Sequence, residues 1–286
     1  MHRTLLAAGT AAAALVLAAV TAAPAEAASY AVSIKTSKTQ TDVGTRFTLS
    51  GKVTGRGAGG KTVVIERKIG SGKWTKLTTT KTTSKGTYER KLTAKSVGAK
   101  QYRVVAGASS SVGRGTSAAV TVTGFTWLTL AEQPTTAQIA TVNISRRAGG
   151  KTYPHSIVLL GFAGSSAVIW QVDKKCDGFS TSVVVDPAYA ADGDAATGDV
   201  VSGTDPFSSP DGPRVTAKNG TPTAFKTTTL KGADYFALAL DQTEGSEGST
   251  PTVDLLTPKA HCSVTTLPGL RLPESSPMRS GASLLR

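Results

Sequence analysis

Short runs of β-branched residues alternating with polar ones recur along most of the chain, separated by turn-forming stretches, and residues 30–123 carry no helical period. Residues 31–34, 46–53, 61–67, 88–92, 102–105 and 118–122 have this form, with turn-forming stretches at 55–60, 70–72, 84–86 and 107–115 between them. Successive side chains of a strand point to opposite faces, so each run has one face to bury. Runs at this spacing do so as two sheets packed face to face. Residues 167–173, 179–185, 225–230, 235–240 and 260–264 repeat the pattern, and alternation places Val168, Trp170 and Val172 on a core face. The expected fold is all-β, with two tandem β-sandwiches. The glycines of 55–60 match the spacing of a dinucleotide-binding loop, but a strand, 62–65, follows where that loop needs a helix N-terminus for the pyrophosphate. They read as a hairpin turn.

The N-terminus narrows the compartment. His2 and Arg3, the apolar stretch Leu5 to Val20 and the small residues around Ala25-Glu26-Ala27 have the three parts of a secretory signal peptide, cleaved after Ala27 or Ala28. The apolar run falls short of the roughly 20 residues that span a bilayer, so no membrane span is expected in the mature chain. No cysteine is nearby to carry a lipid, and Leu272-Pro273-Glu274-Ser275 lacks the Thr-Gly and hydrophobic segment of a wall-sorting signal. Export decides how Cys176 and Cys262 are read. In an oxidising compartment the only two cysteines form a disulfide, worth about 4 kcal/mol in the chain-entropy model for a loop of this length.

Charge divides the mature chain. Residues 30–123 hold 18 Lys and Arg against 3 Asp and Glu, whereas 124–270 hold 10 against 14, giving net charges of +15 and −4. The basic residues are spread along every strand and read first as solvent faces, where lysine also blocks edge-to-edge pairing. Adhesion to polyanions such as cell-wall phosphate polymers is the functional alternative; nucleic acid is not an expected partner. The expected layout is a signal peptide at 1–28, a basic sandwich at 29–123, a second sandwich at 124–268 and a disordered tail at 269–286.

In the first module, residues 60–68, Trp74, Gly86-Thr87-Tyr88 and Tyr102-Arg103-Val104 resemble the immunoglobulin-like modules of exported bacterial proteins. Such modules space, present or adhere. Trp74 is read as a packed sandwich residue, and the cysteine pair of antibody domains is absent.

In the second, Gly149 to Ile157, Trp170-Gln171-Val172 leading into Cys176-Asp177-Gly178-Phe179, and Val183 to Asp186, in that order, resemble the NPCBM family. These are carbohydrate-binding modules with a galactose-binding-like jelly-roll sandwich, found in secreted proteins and glycosidases. Residues 226–230 and 235–240 resemble the family's paired late strands, and Ala260-His261-Cys262 its closing strand; the likeness covers roughly 125–265. After Asp186 the chain departs from the family, with Pro187 and a long Asp- and Gly-rich loop.

The resemblance implies a sugar-binding module that performs no chemistry. A sugar site needs an aromatic ring to stack on the apolar side of a pyranose and fixed polar groups for its hydroxyls. The candidate ligand residues are Tyr153, His155, Asp186, Tyr189 and Phe207. No paired acid and base, activated nucleophile or spaced metal motif is recognisable, and His261, beside Cys262, reads as a structural strand residue. No cofactor is expected. Asp192, Asp194 and Asp199 are the calcium candidates, as oxygen ligands on a loop, although their spacing misses the EF-hand pattern. The expectation is a secreted, noncatalytic binder of extracellular or cell-wall glycan. The alternative is an adhesive, wall-associated protein that uses its basic module and binds no sugar.

Overall fold

The computed structural model describes residues 28–139, 141–160, 166–190, 194–204, 212–244 and 252–269. The expected signal peptide up to residue 27, the tail from 270 onward, Asp192 and Phe207 lie outside the described residues. The chain is all-β, in packed antiparallel sheets, and the described residues include one short 3-10 turn at Leu130–Glu132.

The N-terminal half comprises β1 (Ala31–Val32), β2 (Lys35–Thr36), β3 (Gln40–Asp42), β4 (Arg46–Thr54), β5 (Thr62–Ile69), β6 (Thr75–Lys81), β7 (Thr87–Thr93), β8 (Gly98–Ala106), β9 (Gly115–Thr116) and β10 (Val120–Thr129). One sheet sets β4 between β7 and the short β1 and β2; the facing sheet runs β6-β5-β8-β10, with β3 parallel to β10. Alternation in β4 and β5 buries Phe47, Leu49, Val53, Val63 and Ile65, which meet Tyr88, Tyr102 and Val104 between the sheets. Tyr88 ties the first sheet to its edge, its hydroxyl donating to the Ser33 carbonyl at 2.6 Å. Gly51 makes this possible, because a Cβ there would collide with both partners.

Trp74 departs from expectation. It sits in the β5–β6 connection, outside the buried cluster, with the Arg103 guanidinium 4.3 Å and Lys68 Nζ 5.5 Å from its ring centroid. Flanked by cations, the ring packs on the outer face of the sheet and not in the core.

The C-terminal half adds β11 (Ala137–Ile139), β12 (Thr141–Ala148), β13 (Lys151–Leu159), β14 (Ser166–Gln171), β15 (Cys176–Val185), β16 (Ala195–Gly203), β17 (Arg214–Lys218), β18 (Thr223–Thr227), β19 (Tyr235–Glu244) and β20 (Val253–Cys262). One sheet has the order β12-β13-β20-β15-β18 and the other β11-β14-β19-β16-β17. Between them Val168, Trp170 and Val172 are fully buried, as alternation predicts, and Trp170 stacks on Phe236 at 5.5 Å. β12 and β13 form a hairpin turned by Gly149 and Gly150, both with positive φ, as a two-residue turn of this hand requires. Cys176 and Cys262 face each other across β15 and β20 and are joined by a disulfide.

Two sequence expectations need correction here. The late strands are not paired: β18 hydrogen-bonds to β15, whereas β19 lies in the opposite sheet between β14 and β16. The chain between them crosses from sheet to sheet, with fully buried Leu230 closing the end of the core. The stretch after Asp186 is not all loop either, since β16 and β17 lie within it.

β10 belongs to both halves. Its residues 120–124 pair with β8 and 126–129 with β20, so one ten-residue strand continues from the first sandwich into the second. The charge boundary near Gly124 falls inside this strand, where the absence of a side chain admits the Ser96 carbonyl.

Candidate functional site

β13 presents Tyr153 opposite Arg146 of β12, and directly paired residues project to the same side of a sheet. On β15, Phe179 and Val183 point into the core, which leaves Ser180 and Ser182 on the outer side. Tyr153, these two serines, Thr257, Lys151 and Lys259 line an open groove of about 400 Å³. Lys151 Nζ lies 5.2 Å from the Tyr153 ring centroid, and the Thr257 hydroxyl donates to the Pro154 carbonyl at 2.9 Å. The groove thus combines one aromatic ring with hydroxyls and amines at a sheet face.

Asp186 is held elsewhere. It ion-pairs with Arg146, whose Nε also donates to Asp254 at 2.6 Å, and its Oδ1 accepts from the Ala188 amide at 2.9 Å. That second bond turns the chain at the end of β15, so Asp186 builds the loop beside the groove without lining it. Burial pushes the Asp254 carboxyl above its ordinary range and Arg146 opposes the shift; Oδ1 has no partner among the described residues. Tyr189 follows Asp186 with 57% of its surface exposed. His155 has a left-handed φ of 57° and does not line the groove; its Nδ1 lies 3.2 Å from Glu132 Oε1. Of the candidate residues, Tyr153 lines the groove and Asp186 and Tyr189 form the adjoining turn.

The acidic residues divide similarly. Asp199 is buried on β16 and bonded by Arg214 at 3.2 Å, and Asp194 is buried just before that strand. Among the described residues no three His, Cys, Asp or Glu side chains gather in a group that could hold a metal ion.

A second cleft, missed in the sequence, lies where the halves meet. His261 of β20 stacks on Phe125 at 5.0 Å and packs against Trp127 at 4.9 Å, both on β10. Its Nε2 is 2.8 Å from Asp42 Oδ1, on β3, and its Nδ1 is 2.6 Å from Asp177 Oδ1, on β15. A carboxylate only accepts, so both bonds are satisfied together when both ring nitrogens carry hydrogen. Trp127, Lys226 and Lys231 complete a cleft of about 390 Å³. The signal available in sequence was Trp127 itself, an aromatic on the same alternating face of β10 as Phe125.

No helix among the described residues is long and apolar enough to cross a membrane. No family model matches this chain, and no curated protein matches it.

Proposed function

We propose that this chain is a secreted, noncatalytic binder of extracellular or cell-wall glycan, in line with the resemblance of its C-terminal half to NPCBM modules. The observation that carries the reading is the groove at Tyr153, which offers one ring face beside Ser180, Ser182 and Thr257. A pyranose has an apolar face suited to such a ring and hydroxyls suited to such a border, and a shallow open groove takes a polymer along its length. Binding of this kind needs no general acid or base.

A second reading draws on the first sandwich. The β4–β7 register puts Arg46, Lys52 and Lys91 on one outward face, with Lys35 of β2 beside Ser50 and with Glu89 as its acid. This basic face suits adhesion to a polyanion without sugar recognition.

Sedimentation of the mature chain with purified cell-wall polysaccharide separates the two. Tyr153→Ala is expected to weaken retention about tenfold, as the loss of one stacking ring does. The triple substitution Arg46→Ser, Lys52→Ser, Lys91→Ser is expected to leave it unchanged. The reverse pattern would establish the adhesive reading and end the glycan one.

A further inference from the structure

We infer that the cleft between the two sandwiches is a second binding site, selective for an acidic saccharide: a sugar ring bearing a carboxylate or phosphate. Three observations converge there. Trp127 keeps 38% of its surface exposed, with His261 packed on its ring at 4.9 Å and Lys226 Nζ 5.6 Å from the ring centroid, so part of the indole and an ammonium group face the cleft side by side. Lys226 and Lys231 border the same space, and neither has a carboxylate partner among the described residues. The two acids that also border it, Asp42 and Asp177, are both bonded to His261, so Lys226 and Lys231 are the charged groups of the cleft that have no oppositely charged side chain beside them among the described residues.

The floor of the cleft is kept open by Gly178. A Cβ at this position would come to rest 3.4 Å from the Thr227 carbonyl oxygen, 3.6 Å from His261 Cβ and 3.8 Å from the Trp127 ring. These are ordinary contact distances, so the site tolerates a side chain and would be filled by one. The cleft volume of about 390 Å³ lies at the small end of ligand sites, enough for one or two sugar rings. The exposed part of the indole meets the C–H face of a ring as Lys226 turns from the indole to the ligand, and the Lys226 and Lys231 ammonium groups pair with the anionic substituent as point charges. The cleft exists because β10 and the Asp42–His261 bond hold the sandwiches together; neither half alone supplies both Asp42 and Lys226.

Only the ligand class rests on the glycan reading above; the residues are distinct from those at the Tyr153 groove. Calorimetric titration of the mature chain with digalacturonate, its uncharged methyl ester, glucose 6-phosphate and inorganic phosphate tests the inference. Binding of digalacturonate, of glucose 6-phosphate or of both, with the ester and free phosphate weaker by about tenfold or more, is expected. The double substitution Lys226→Ala, Lys231→Ala should weaken binding of the acidic sugar by a similar factor, and Gly178→Val should abolish it. Tyr153→Ala should leave it unchanged. Absence of acidic-sugar binding, equal binding of the ester or of inorganic phosphate, or undiminished affinity in the lysine variant would overturn the site. Because both lysines are exposed, that variant remains a test even if Gly178→Val fails to fold. Loss of acidic-sugar binding in Tyr153→Ala with the lysine variant unaffected would place all recognition in the groove and reject the cleft alone.

Discussion

His261 reaches Asp42 across 219 positions of sequence, with 2.8 Å between Nε2 and Oδ1, and so joins the second sandwich to the first. Asp42 is largely exposed, so solvent screens the pair and its worth is modest. A double-mutant cycle of Asp42→Ala and His261→Ala, read by urea unfolding, is expected to give a coupling of about 0.5–1 kcal/mol. His261→Ala alone should cost more, because it also removes the packing on Phe125 and Trp127. Zero coupling would show that the Asp42–His261 pair adds nothing to the junction.

Lys100 is buried, and its Nζ donates to the carbonyls of Ser96, Val97 and Gly98 at 2.7, 2.7 and 3.1 Å. Together these bonds close the turn that rests on Gly124 of the shared strand. Lys100→Met is expected to destabilise the chain by about 2 kcal/mol, since the carbonyls lose a charged donor. Lys95→Met, at an exposed position of the same turn, should change stability by less than about 0.5 kcal/mol. Chemical unfolding of the two variants compares them directly.

Burial raises the Asp254 carboxyl and Arg146 only partly opposes the shift. Between the ordinary carboxylate pKa of about 4 and the raised one, the folded chain retains a proton that the unfolded chain has lost. Stability from this group is therefore fullest at low pH and falls as pH rises through that window. The stability difference between wild type and Asp254→Asn should move in favour of the wild type as pH drops from 7 toward 4. Movement toward the variant would contradict the assignment.

Secretion and the disulfide are checked together on protein recovered from the medium of expressing cells. Its N-terminal sequence is expected to begin at Ala28 or Ser29, and thiol titration of the denatured, unreduced chain should find no free cysteine. Reduction should cost about 4 kcal/mol or less in the chain-entropy account. Retention of residues 1–27 would contradict the proposed route.

Where a residue's environment follows from its own strand, the sequence is readable: Val168, Trp170 and Val172 alternate and are all buried. Legibility fails where a distant partner or a local irregularity decides. The first part of β20 is obscured by Pro258, normally excluded from central strands. Here it sits at a break in the β15–β20 register, beside Thr257 at φ 48°. β16 is obscured by Asp199, which a strand core would reject but for Arg214 on the neighbouring β17. Trp74 is legible only as a packed sandwich residue, because the sequence does not reveal that Lys68 of β5 and Arg103 of β8 are what it packs on. At the candidate sites Tyr153 is legible as an aromatic beside a glycine hairpin. The junction cleft is not, because it is assembled from β3, β10, β15, β18 and β20 at once.

A glycan array probed with the mature chain and its Tyr153→Ala variant tests glycan binding at the Tyr153 groove. The wild type is expected to be retained on a restricted set of glycans, and the substitution to reduce neutral-glycan signals about tenfold. No retention on any glycan, or signals unchanged by the substitution, would contradict it.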